Sequence, residues 1–427
     1  MKLMSDINVH LENRKESRIF FAFIWIMYSL VYTTKTCFSA ALVFIKAEGV
    51  LTLTQVSFIL AMFYTVYAPL QVVGGVFADK YSPERMITVS LIGSAAANAI
   101  IFFNQSYWVM LVTWTLNAVV QFALWPSVFK ILSSQLVRSD RPNMVFFISL
   151  SGAFGSVIAS LIAALVGENW KYNFAISAAI LTILAIALQF FCIRLDPLLK
   201  ADRPDSERAS AEERLPEDGL STFKLFLVSG FFLLVAAIFL RTIVENSTKS
   251  FAATMLVDMY PNISGEIGSL LNALVLVGGI AGTVLVKKVL YPRIIKNEVV
   301  GFLAMLLIAL PFSLILCQIG SERIPVWVMV LSLTAVTLLL TATHLLNQFF
   351  NMKFVKFGKN GTASGIMNAA SSAAFALQYW ILGPVGETFG WRVVCMIFAI
   401  ISVFTILFVV LALRPTSRFR KHVSGEH

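Results

Sequence analysis

Long runs of apolar side chains alternate along the chain with short polar intervals. A helix needs roughly 20 apolar residues to span the hydrocarbon of a bilayer. Runs that meet this fall at 19–45, 54–78, 86–104, 107–136, 144–166 and 171–194, and again at 223–257, 265–290, 298–318, 325–350, 361–384 and 392–413. The pattern predicts an all-α membrane protein with 12 transmembrane helices in two six-helix halves, 1–194 and 223–427. Between them, 195–222 is rich in Asp, Glu, Arg, Ser and Pro and reads as a solvated cytoplasmic linker with room for a short surface helix. The first apolar run is longer than a signal-peptide core and is expected to be an uncleaved span.

The halves share short stretches. Val166-Gly167-Glu168-Asn169-Trp170-Lys171 follows the fifth run, and Val385-Gly386-Glu387-Thr388-Phe389-Gly390-Trp391-Arg392 follows the eleventh. Val73-Gly74-Gly75 in the second run answers Val277-Gly278-Gly279 in the eighth. Together they point to an internal duplication, an architecture in which transporters place a site between the halves.

Composition supports lipid as the outer solvent. Only 13% of residues are charged, about half the usual share in soluble proteins. A net charge of +10 raises nucleic acid as a partner, but the basic residues recur between apolar runs and form no single face. With the N-terminus inside, 26 of the 33 Lys and Arg lie on the cytoplasmic side and 4 outside. That asymmetry places both termini in the cytoplasm, in the cell (inner or plasma) membrane, and requires an even helix count. Cys37, Cys192, Cys317 and Cys395 each sit in an apolar run, so no disulfide, metal site or cofactor is expected.

The chemistry is carried by charges that lipid does not tolerate. Lys35 lies deep in the first run and Arg241 deep in the seventh, each roughly 25 Å from the cytoplasmic edge by helical rise. Such a cation costs on the order of 2.5–3.5 kcal/mol to insert, so it is expected to face the bundle interior. Two cations at symmetry-related positions describe a site for an anion; a structural ion pair or a snorkelling side chain is the alternative. For Arg241 the ladder Arg241, Glu245, Lys249 keeps the ion-pair reading open. In the functional version, Glu245 takes a proton and releases Arg241, with His344 a second candidate coupling group. Tyr28 and Tyr32 share a helical stripe with Lys35, and Asn117, Gln121 and Trp125 recur every four residues before Pro126. These groups either line a cavity or hydrogen-bond between helices. Asn347, Asn368 and Gln378 are weaker candidates. Gly152, Gly155, Gly361 and Gly365 are expected to let helices approach closely.

Gly75-Val-Phe-Ala-Asp79-Lys80-Tyr-Ser-Pro83-Glu-Arg85 resembles the loop signature of the major facilitator superfamily. That resemblance implies a charge latch of Gly75, Asp79, Lys80 and Arg85 at the cytoplasmic helix ends. Tyr32-x-x-Lys35-x-x-Phe38, Asn117-x-x-x-Gln121-x-x-x-Trp125-Pro126, Arg241, Gly361-Thr-Ala-Ser-Gly365 and Phe389-Gly-Trp391 further resemble the organophosphate:phosphate antiporter family. In that family two arginines grip a phosphoryl group, and the resemblance carries the role to Lys35 and Arg241. A family Lys appears here as Gln71 and a family His as Ser151. The expected function is alternating-access transport of a small organic anion, a sugar or polyol phosphate among the candidates, exchanged for phosphate or moved with protons. Tyr28, Tyr32, Gln121 and Trp125 would shape the pocket, the unit would be a functional monomer, and no nucleic acid would take part. A proton-coupled carboxylate or sugar-acid carrier and a transporter-like sugar-phosphate sensor are the alternatives. No nucleophile–base pair or phosphate-cradling loop suggests an enzyme.

Overall fold

The computed structural model describes residues 9–11, 13–201, 221–291, 293–321, 324–357 and 359–424. Most of the expected linker therefore lies outside the described residues. The chain folds as two compact units, Met1–Ser206 with Gly265–Ala273, and Glu207–Ser264 with Leu274–His427.

In the first unit the long helices are α1 (Arg14–Ala47), α2 (Leu53–Lys80), α3 (Pro83–Phe103), α4 (Tyr107–Gln121) continued by α5 (Leu124–Lys130), α6 (Arg141–Val166) and α7 (Tyr172–Leu195). Local sequence sets their starts. The Asn13 side chain accepts from the Lys15 and Glu16 amides, and Thr52 with Gln55 forms a reciprocal capping box on α2. The single run expected at 107–136 is broken. Pro126 has no N–H to donate to the Phe122 carbonyl one turn back, and the helix pauses at Phe122 and Ala123 before ending in a π turn at Ile131–Gln135. α1 lies along α6 and α7, α3 against α4 and α7, and α2 against α4. Phe20, Ile24, Met27, Leu91, Val128, Ile148, Leu181 and Leu188 fill the space between them.

The α1–α6 approach depends on glycine, as the sequence pattern suggests. A Cβ on Gly155 would overlap the Ser29 carbonyl oxygen, and one on Gly152 would meet the Tyr32 ring at 3.0 Å. The Thr33 hydroxyl donates to the Gly155 carbonyl at 3.0 Å across the same contact. Gly361 and Gly365 differ from expectation: nothing among the described residues lies within 4 Å of a Cβ built there.

Two features are absent from the hydrophobic pattern. Val9–Leu11 (β1) pairs antiparallel with Leu199–Ala201 (β2), Leu11 opposite Leu199. Asp140 accepts Arg14 Nε at 2.9 Å and Arg18 Nε at 3.1 Å. The Glu16 carboxylate takes Arg194 at 3.0 Å. The Arg14 and Arg18 guanidinium groups hold the Asp140 carboxyl well below the usual carboxylate range.

The second unit holds the short α8 (Thr222–Val228), then α9 (Phe231–Met259), α10 (Gly265–Leu285), α11 (Glu298–Leu316), α12 (Val326–Asn351), α13 (Asn360–Phe389) and α14 (Trp391–Ser424). The first nine residues of α10 belong to the first unit. Gly230, at φ +72°, divides the expected run at 223–257 into α8 and α9. α9 lies against α13 and α14, and α11 against α12 and α14. These are the partners that α1 and α3 have in the first unit. Gly74 meets Phe122 and Gly278 meets Thr334, so the shared Val-Gly-Gly stretches serve matching close approaches.

The duplication has a second signature. Trp170, just before α7, donates its indole N–H to Glu48 at the end of α1. Trp391, which opens α14, donates to Asp258 Oδ2 at 2.7 Å at the end of α9. Eleven helices among the described residues are long and apolar enough to cross a membrane. α13, 30 residues long, is not among them, because Asn, Thr, Ser and Gln dilute its apolar run; the expected count of twelve is consistent with eleven such helices and α13. The protein is a multi-pass membrane protein.

Candidate functional site

Each unit carries its charge on its first long helix, and the two environments differ. Lys35 is 9% exposed within α1. Its ammonium nitrogen lies 3.9 Å from the ring centroid of Tyr67 and 5.1, 5.5 and 5.7 Å from those of Phe63, Tyr64 and Tyr32. No described acidic side chain forms an ion pair with it. An aromatic face attracts a cation by about 0.5–2 kcal/mol, well short of the cost of burying an unpaired charge. The aromatic cage orients the ammonium and leaves its charge uncompensated.

Tyr28 and Tyr32 pack edge to face at 5.2 Å, and Trp125 lies 5.2 Å from Tyr28. The structure therefore brings Tyr28, Tyr32 and Trp125 together, and of the three it is Tyr32 whose ring reaches Lys35. Gln121 is placed differently. Its amide donates to Ser94 Oγ at 3.0 Å and to Asn117 Oδ1 at 3.1 Å, and Ser94 Oγ donates to Asn117 at 2.7 Å. This buried network ties α3 to α4. Ser151 is fully buried and donates to the Ile148 carbonyl. Phe63, Tyr64 and Tyr67 were not among the expected site residues. Their i, i+1, i+4 spacing on α2 signals one aromatic stripe, but only the folded chain places it over Lys35.

In the second unit Arg241 bonds to Glu245 one turn on. The same guanidinium donates to the Leu340 carbonyl at 2.9 Å and to Thr242 Oγ1 at 3.1 Å. Lys249 donates to Glu245 Oε1 at 2.5 Å, and Thr341 Oγ1 to the same oxygen at 2.9 Å. His344 Nε2 stands 3.9 Å from the other carboxylate oxygen. The ladder read from the sequence is thus an ion-paired cluster, joined by α12. Gln378 is buried and accepts from Ser247, Asn347 is buried, and Asn368 is exposed.

Depth also needs correction. Lys35 precedes the Trp-bound Glu48 by 13 positions, as Glu245 precedes Asp258; Arg241 precedes it by 17. Helical register therefore matches Lys35 to Glu245, with Arg241 one turn, roughly 6 Å, away. The difference arises because α9 begins at Phe231 after the Gly230 break, so counting from 223 misplaces Arg241.

At the expected charge latch, Lys80 and Arg85 are exposed, and Lys80 Nζ lies 5.7 Å from the Tyr81 ring. Gly75 and Asp79 fall inside α2, but their side-chain environments lie outside what is described.

Two units of matching internal packing, each with a buried cation on its first long helix, define a duplicated helical membrane protein. A model of the Major Facilitator Superfamily matches residues 24–379, and the chain belongs to that superfamily. The chain is similar to the membrane sensor protein UhpC of Escherichia coli, 26% identical over 185 residues, which is 43% of this chain and 40% of that protein. It is also similar to the glucose-6-phosphate exchanger SLC37A1 of Mus musculus, 25% identical over 169 residues, 38% of this chain and 31% of the exchanger. The matches thus span two fifths or less of these relatives. Among solved structures, a bacterial homologue of the human lysosomal transporter Spinster aligns over 97% of this chain and 98% of its own at TM-score 0.69 and 16% identity. A D-xylose–proton symporter aligns over 92% and 97% at TM-score 0.71 and 14% identity. These likenesses carry the fold.

Proposed function

We propose that the protein is a secondary transporter that moves a small organic anion across the cell membrane by alternating access, as a monomer with both termini in the cytoplasm. The observation that carries this reading is Lys35, a buried ammonium held by aromatic rings and, among the described residues, ion-paired with no carboxylate. A visiting anion is the counter-charge such a site lacks. Tyr28, Tyr32 and Trp125 would shape the pocket around the anion's carbon skeleton, with Gln121 bracing α3 against α4. Arg241 would become free to bind an anion when Glu245 is protonated and lets it go, and His344, 3.9 Å from that carboxylate, would pass the proton. Sugar or polyol phosphates are the favoured substrates, exchanged for phosphate or moved with protons. The name of the mouse relative specifies glucose 6-phosphate, and a further relative in Cupriavidus necator, 23% identical over 198 residues, is named a probable sulfoacetate transporter. Both compounds are anions.

The test is uptake of labelled phosphate, glucose 6-phosphate and a sugar acid into proteoliposomes, with and without internal phosphate and with an imposed pH gradient. Exchange is expected only with phosphate inside. Uptake of the sugar acid driven by the pH gradient alone would replace antiport with symport. The similarity to a membrane sensor supports a second reading, in which the protein binds the sugar phosphate without carrying it. Saturable binding with no flux would select that reading. Absence of both binding and flux for every anion would remove the anion site.

A further inference from the structure

The cluster around Glu245 contains more positive charge than that carboxylate neutralises. Arg241 and Lys249 both bond to Glu245. His344, on α12, is the other titratable group facing this carboxylate, and Thr341 supplies a neutral donor. With the histidine uncharged, one positive charge remains without a partner.

The surroundings decide which cation presents that charge. The Arg241 side chain is wholly buried: its terminal nitrogens donate to Glu245, the Leu340 carbonyl and the Thr242 hydroxyl, and its Nε is enclosed with no partner among the described residues. Enclosed in this way, it offers no exposed face to a ligand in this arrangement. Lys249 lies two turns further along α9 with 23% of its side chain exposed. An ammonium has three donors. One is engaged by Glu245, which leaves others for a second anion. Register adds a further point: Glu245 stands at the position that Lys35 holds in the first unit, and Lys249 lies one turn beyond it.

We propose that Lys249 is an anion-contacting residue of the second unit, while Arg241 serves in this arrangement to hold Glu245 in place. The inference rests on the anion-carrier reading and adds to it a binding residue within the second unit. The ligand class is a compact oxyanion head: a phosphate monoester, a sulfonate or a carboxylate. Lys249 offers such a head a point charge, not a planar fork, so it supplies attraction without fixing the head's geometry.

The experiment uses the full chain in lipid nanodiscs and measures binding of inorganic phosphate, glucose 6-phosphate, sulfoacetate and a sugar acid by calorimetry, with glucose as the neutral control. Wild-type protein is expected to bind at least one of the anions and not glucose. Lys249→Gln should weaken that binding about tenfold or more, the effect of losing one hydrogen bond between charged groups. Lys249→Arg should keep it within a few-fold. Arg241 still holds Glu245 in both variants, so melting without ligand should stay near the wild-type value. A measurement on the unmodified protein runs beside these: acylation of Lys249 by an amine-reactive reagent, followed by mass spectrometry, should slow at saturating anion. Lys249→Gln binding as tightly as wild type, or Lys249 acylation unchanged by bound anion, overturns the assignment while the carrier reading stands. A wild type that binds none of these anions overturns the carrier reading and this inference with it.

Discussion

Two buried cations sit on the first helix of the two units, and they are of different kinds. Lys35 has aromatic neighbours, so removing it leaves no carboxylate behind. Lys35→Ala is expected to abolish anion transport while melting at or above the wild-type temperature in detergent. Normal transport by this variant would sink the site. Arg241→Ala removes one partner of a buried pair and leaves Glu245 to Lys249 alone. Such a loss typically costs about 3–5 kcal/mol, so this variant should melt well below both wild type and Lys35→Ala. Equal melting of the two alanine variants would contradict the ion-pair geometry. If Glu245 couples transport to protons, Glu245→Gln should keep exchange but lose any stimulation by a pH gradient. The identities of the two cations were legible in the sequence, because an isolated charge in an apolar run is conspicuous. Their partners were legible only where they lay on the same helix, as Glu245 and Lys249 do. Tyr67, Thr341 and the Leu340 carbonyl come from other helices, and one-dimensional spacing gives no access to them.

The elements follow local chemistry where that chemistry is strong. Asn13, Thr52 and Gln55 start helices as capping residues do. Pro126 and Gly230 interrupt runs that hydrophobicity alone joins, because apolar patterning reports solvent preference and not backbone hydrogen bonding. Glycine spacing is a weaker guide. Gly152 and Gly155 bring α6 onto α1, whereas the similar pair Gly361 and Gly365 has no described neighbour within 4 Å. A small residue permits a close approach without supplying the partner. Gly155→Val places its side chain against the Ser29 backbone and Tyr32, and is expected to destabilise the first unit by at least the roughly 1–3 kcal/mol typical of overpacking. Gly361→Ala should change melting little. A thermal-stability comparison in detergent distinguishes the two, and equal losses would refute the packing account.

At the scale of the molecule the duplication is repeated in unlike residues. Trp170 to Glu48 and Trp391 to Asp258 are the same contact made with different acids. Trp170→Phe and Trp391→Phe each remove one hydrogen bond to a carboxylate, worth about 1.5–3 kcal/mol, and similar losses in melting temperature are expected for both. A large loss in one and none in the other would show that only one half depends on it. Far from those contacts, Arg14 and Arg18 fasten the start of α1 to Asp140. The Asp140 carboxyl titrates below its ordinary value near 3.8, so its contribution is present at neutral pH and is lost only as pH falls through the lower, folded-state value. Asp140→Asn should therefore melt below wild type at pH 7, by a margin that shrinks with added salt and closes in strong acid.

The sequence by itself determined what depends on solvent preference and local backbone chemistry. That covers the apolar spans, the helix starts, the presence of two buried cations, and short repeats that betray a duplication. These properties are written residue by residue, since lipid acts on each side chain and capping acts within one turn. The tertiary structure alone decided which groups surround those cations. It ringed Lys35 with aromatics from α2, tied Arg241 and Lys249 to one carboxylate braced by α12, and set the register of α9 one turn from the expected place. Such contacts join residues tens to hundreds of positions apart, and their energies depend on side-chain distances that only packing fixes.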